Sequence, residues 1–215
     1  MKKHIYIGIL FICFWNVPVC LGQVYHFDKL VQYKGVFDSG KYKTTLYFNS
    51  KDNSYYFASY VGDQFSTSFL HDKKKEELHY YEISNLAESK SIQYKSSRKL
   101  SSSDEDPDCK KCSAKETELN SLTSKITFET LEEFGEKRRV EIIAKKVNYF
   151  VPTIGTDLGG YICFSCSKPP ISRFKLPTSL TITNNSEVTH KEKLILEQDI
   201  NIDFQVDEKN IKYTN

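Results

Sequence analysis

The chain has 215 residues, with 30 Lys or Arg against 28 Asp or Glu, six cysteines, one Met and one Trp. So even a balance argues against a nucleic-acid footprint or a polybasic membrane patch. Beyond the N-terminal stretch, no apolar run approaches the roughly 20 residues of a membrane-spanning helix.

Lys2, Lys3 and His4 precede an apolar run from Ile5 to Trp15, then Val17-Pro18-Val19 and a small-residue boundary at Cys20-Leu21-Gly22. A charged start, an apolar core of about 10 to 15 residues and small side chains at the cut predict an export signal over 1–22. Gln23 is then the mature N-terminus. Cys20 invites lipid attachment, but Val19 is larger than the residue such attachment favours, so simple cleavage is expected. Losing the leader removes Met1, Trp15, Cys13, Cys20, Lys2 and Lys3, which leaves acidic and basic residues equal in number. The remainder, 23–215, is expected to be one β-rich domain in the periplasm, cell envelope or medium, with no membrane span and enough length for a real core.

Period-two patterning dominates the mature chain. Residues 42–48, 54–61 and 64–70 are rich in aromatic and β-branched side chains and predict an antiparallel meander. Asp38-Ser39-Gly40, Lys51-Asp52-Asn53 and Gly62-Asp63 supply residues that tolerate the positive φ of short hairpin loops. Further strands are expected at 77–83, 124–132, 138–150, 160–165, 179–183 and 193–206, the last with Ile200, Ile202, Phe204 and Val206 on one face. The stretch 89–108, serine-rich and ending in Asp104-Glu105-Asp106, predicts a mobile polar loop. Behind it, Asp106 as cap and Pro107 at the first helical position allow one short helix over 109–124, anchored by Leu119 and Leu122. The fold class expected is all-β, or β with that helix: about ten antiparallel strands in a curved sheet, sandwich or open barrel.

The mature cysteines fall in two pairs, Cys109-Lys110-Lys111-Cys112 and Cys163-Phe164-Ser165-Cys166. Two such pairs can supply the four thiolates of a tetrahedral zinc site. In an oxidising compartment an even set is more often disulfide-bonded, which is the favoured expectation, with zinc the alternative cofactor. Three pairings are open. A Cys109–Cys166 bridge would close about 58 residues and contribute roughly 4 kcal/mol in the loop-entropy treatment. A Cys109–Cys112 bridge at a helix start, beside two lysines, would lower a thiol pKa and suit a thiol-disulfide oxidoreductase.

Other candidates carry less. His26, His71, His79 and His190 have no paired-ligand spacing, and no Gly-x-Ser-x-Gly elbow accompanies the serines. Glu76-Glu77 and Glu132-Glu133 sit side by side, so on a strand the members of each pair point to opposite faces. Gly155 and Gly159-Gly160 lack the strand-then-helix setting of a phosphate loop. Asn184-Asn185-Ser186 is a glycosylation sequon at an expected hairpin tip. The tyrosine-rich residues 42–60 read as core on one side and half-polar sheet face on the other.

The run Leu46-Tyr47-Phe48-Asn49-Ser50-Lys51-Asp52-Asn53-Ser54-Tyr55-Tyr56, with the leader and the Lys-, Asn-, Ile- and Tyr-rich composition, resembles small exported proteins of unknown function from flavobacteria. The resemblance covers about the N-terminal third and implies a Gram-negative envelope or secreted location, and nothing about activity. The expected function is non-enzymatic binding of a partner, peptide or lipidic ligand on a sheet face or in a cleft; the oxidoreductase and a zinc-stabilised structural module are the alternatives. Thiol titration of the purified mature protein should find no reactive thiol until it is unfolded and reduced. Stoichiometric zinc, or one pair reducible in the native state, would contradict the disulfide expectation.

Overall fold

The computed structural model describes residues 23–37, 40–62, 64–86, 89–99, 114–131, 137–152, 172, 174–206 and 210–214. These form twelve antiparallel strands and, among the described residues, no helix. In chain order they are β1 (Gln23–Phe37), β2 (Gly40–Phe48), β3 (Tyr55–Val61), β4 (Gln64–Asp72), β5 (Glu77–Leu86), β6 (Ser89–Lys99), β7 (Lys115–Glu118), β8 (Thr123–Leu131), β9 (Lys137–Lys146), β10 (Lys175–Asn184), β11 (Glu187–Val206) and β12 (Asn210–Thr214). They hydrogen-bond in the order β1-β2-β3-β4-β5-β6-β12-β11-β10-β9-β8-β7, and β1 also pairs with β11, which turns the sheet back on itself. The β10-to-β7 arm ends at β7, so the sheet is curved and branched and does not close as a whole into a barrel.

Turn chemistry sets the hairpins. Asn53 and Gly62 have φ of 64° and 61°, and Asn185 and Ser186 at the β10–β11 tip have 47° and 70°. Positive φ at both central residues gives the twist that a tight hairpin requires. Asn49 Oδ1 accepts from the backbone N–H of Lys51 and Asp52, closing the β2–β3 loop.

Apolar side chains gather on both faces of the meander. On one face Leu46, Phe48, Tyr55, Phe57 and Phe69 pack with Ile126, Phe128, Val140, Ile142, Leu180 and Ile182 from the β8-β9-β10 arm. On the other, Tyr56, Ala58, Leu70 and Tyr81 pack with Tyr25, Phe27 and Phe204. Phe204 is the hub, its ring 4.7 Å from Phe27, 5.2 Å from Tyr56 and 5.3 Å from Tyr47. Full burial of each such side chain contributes roughly 1.5 to 3 kcal/mol. Strand β1 serves both clusters, Tyr25 and Phe27 one and Val31 and Tyr33 the other.

The structure bears out the meander and the Ile200, Ile202, Phe204, Val206 face, and corrects other expectations. Ser89–Lys99, expected as the start of a polar loop, is strand β6. Its ladder with β5 satisfies the backbone of a segment too polar to announce itself, with Ile92 opposite Ile83. The helix over 109–124 does not form across its C-terminal part, because Lys115–Glu118 pairs with Ser124–Thr127 as a fully exposed edge strand. Leu119 and Leu122, its proposed anchors, are exposed in the connection. Residues 100–113 and the strand expected at 160–165 lie outside the described residues.

One buried carboxylate ties the start of β1 to the β4–β5 turn. Asp72 accepts from Gln23 Nε2 at 2.8 Å, from the Tyr25 hydroxyl at 2.9 Å, and from the backbone N–H of Lys74 and Lys75 at 3.0 and 3.1 Å. Burial alone would raise its pKa, but these hydrogen bonds and the Lys75 charge hold it below the ordinary aspartate range. The contribution is therefore fully present above the unfolded value of about 3.9 and is lost as pH falls through the lower folded value. Asp72→Asn should cost about 1 to 3 kcal/mol at neutral pH by urea unfolding, and should flatten the acid limb of the stability curve. A midpoint equal to wild type, with an unchanged acid limb, would contradict this.

Candidate functional site

Strands β2, β1, β11 and β10 lie side by side, and their registers line residues up in two rows. In the first, Lys43 stands opposite Lys34, Lys34 opposite Lys193 and Lys193 opposite Ser179. In the second, Lys41 stands opposite Val36, Val36 opposite Lys191 and Lys191 opposite Thr181. Paired residues project from the same side, and the two-residue step along each strand puts both rows on one face. At about 4.8 Å between strands, a row spans roughly 14 Å. These residues line an open trough of about 760 Å³.

The register of β11 creates this arrangement. Gln32 pairs with Leu196 but Tyr33 pairs with Leu194, so β11 contributes one extra residue at that point. Without the shift Lys34 would oppose Leu194, and Lys193 would turn to the buried face. With it, Glu192 is buried and Lys191 and Lys193 are exposed.

No ammonium group of Lys34, Lys41, Lys43, Lys191 or Lys193 is in an ion pair among the described residues. Glu141, which continues the second row beyond Thr181, is already paired with Lys125. Like charges placed directly across a ladder cost about 0.2 to 1 kcal/mol per pair. The face therefore carries an uncompensated positive potential at a cost to the fold.

Beneath the trough, on the opposite face, lies a buried polar cluster. The Tyr42 ring covers Gly35 so closely that a Cβ there would lie 2.1 Å from it. Only glycine fits. The Tyr42 hydroxyl is 2.8 Å from His190 Nε2, and a Glu192 carboxylate oxygen lies 4.0 Å from the same nitrogen. Burial holds the His190 pKa down to about 4, so the ring is neutral at neutral pH. Burial and then the Glu192 charge keep the Tyr42 phenol protonated. Tyr42, His190 and Glu192 are at most 4% exposed, which makes them the floor's support and removes them from contact with a ligand.

Of the residues singled out from sequence, Cys109, Cys112, Cys163, Cys166, Glu132-Glu133, Gly155 and Gly159-Gly160 lie outside the described residues. His26 is exposed, 2.8 Å from Asp203, and His71 lies under the edge of the Tyr55 ring. Glu76 sits in the β4–β5 turn with φ 52°, paired with Lys73. No group of three or more His, Cys, Asp or Glu is arranged to hold a metal among the described residues. Tyr42, Tyr55 and Tyr56 are core side chains. The trough lysines were not anticipated; the signal available was the alternation Lys41-x-Lys43 and Lys191-x-Lys193 at strand period. No protein-family model matches the chain and no curated protein does, so the site stands on its own geometry.

Lys34 has a lysine on each side, so Lys34→Thr should raise stability at low salt, by about 0.2 to 1 kcal/mol for each relieved pair. The gain should shrink as added salt screens the charges over a Debye length of about 10 Å or less. A loss of stability, or a gain indifferent to salt, would show that the row is not repulsive.

Proposed function

We infer that this is an exported, non-enzymatic binding protein that holds an anionic partner in the trough. The observation that carries the reading is the convergence of five lysines from β1, β2 and β11 on one concave face, with no facing carboxylate left to neutralise them among the described residues. Packing supports it as well. Aromatic side chains pack both clusters among the described residues, and the trough lies on the sheet face. A fold that keeps like charges adjacent, where neutral residues would be more stable, is trading stability for an interaction. The volume falls in the range of ligand sites, about 300 to 1,000 Å³.

Titration of ¹⁵N-labelled mature protein with tripolyphosphate, a compact multivalent anion, tests this reading. Amide shifts should concentrate at Lys34–Val36, Lys41–Lys43 and Lys191–Lys193 and should weaken with salt. Shifts scattered over unrelated lysines, or none at millimolar anion, would contradict it.

A further inference from the structure

We propose that the trough's occupant is a linear acidic polysaccharide, a chain of sugars bearing carboxylate or sulfate groups, lying across β2, β1 and β11 on Lys43, Lys34 and Lys193 with Lys41 and Lys191 alongside. This rests on the trough being the binding site and adds the ligand's identity. The first row is three ammonium groups followed by the hydroxyl of Ser179; in the second, Lys191 is followed by the hydroxyl of Thr181. Charge thus gives way to neutral hydrogen-bonding groups along the same line. A sugar acid offers both: anionic groups at intervals and hydroxyls between them. The donors are all lysines, point charges without the planar fork that arginine uses to select a carboxylate or phosphate bidentately. Such a set suits repeated, well-hydrated anions.

Other polyanions fit less well. An extended acidic peptide presents same-side carboxylates about 6.6 to 6.8 Å apart, longer than the about 4.8 Å strand-to-strand step of the lysine row. It would also need partners for its backbone, and those of β2, β1 and β11 are engaged in ladders on both sides; strand addition needs an edge. Single-stranded nucleic acid needs exposed aromatic platforms, yet the one aromatic residue among the described residues that line the trough, Tyr42, is 4% exposed with its ring over Gly35. A planar anionic bilayer meets the rim of a concave trough and not its floor.

The test is fluorescence anisotropy of the mature protein with a short labelled oligouronate and a labelled heparin oligosaccharide, set beside labelled poly-glutamate and phosphatidylglycerol vesicles. Three proteins are compared: wild type, Lys34→Glu with Lys193→Glu, and a charge-matched control, Lys74→Glu with Lys115→Glu, at exposed positions outside the trough. Circular dichroism establishes that each is folded. The expected result is salt-sensitive binding of at least one acidic oligosaccharide by wild type, weakened about tenfold or more in the trough variant and less than about twofold in the control. Binding of poly-glutamate or vesicles in the trough without binding of either oligosaccharide would overturn the polysaccharide assignment and leave the anionic-binding reading standing. Equal losses in the two variants, or no binding of any probe, would overturn both.

Discussion

The ladder between β1 and β11 runs from Gln23 opposite Val206 to Phe37 opposite His190, and at two points β11 spends more residues than β1. Each such shift reverses which side chains of β11 face which side of the sheet. At the first, between Phe27 and Lys29, β1 changes from the cluster around Phe204 to the one around Val31 and Tyr33. Asp28 marks the changeover, accepting from the backbone N–H and the hydroxyl of Ser50. The second, between Gln32 and Tyr33, sets Lys193 opposite Lys34 and sends Glu192 inward. Both apolar clusters and the charged face depend on that one pair of strands.

The two sides of the trough are linked through the same strands. The lysines repel one another on the open face, while on the covered face Tyr42 fills the space left by Gly35 and meets His190 and Glu192. Glu192 lies buried beneath the cationic rows. A neutral His190 adds no further positive charge under the lysines. The floor is therefore built to tolerate a charged surface that a binding partner can complete.

The sequence revealed those elements whose patterning is local. In β2, β3 and β4, aromatic and β-branched residues alternate and are punctuated by Asn53 and Gly62, so period and turns agree. β1 was not anticipated, because Asp28-Lys29 and Gly35 interrupt its alternation. β6, with only Ile92 and Tyr94 as large apolar residues, and β7, Lys-Glu-Thr-Glu and wholly exposed, become strands because a neighbour supplies their hydrogen bonds. The trough was hidden for a related reason. Lys34, Lys43 and Lys193 are distant in sequence, and near-equal totals of acid and base, 28 against 30, say nothing about where a register shift will gather one sign.

The central claim is that the shifted register of β11 places Lys34 between Lys43 and Lys193. Interstrand nuclear Overhauser effects in a protein of residues 23–215 test it most directly. Backbone cross-peaks are expected from Lys34 to both Lys43 and Lys193, with Gly35 correspondingly close to Glu192. Cross-peaks joining Lys34 to Leu194 would place Lys193 on the buried face, and the trough as described would not exist.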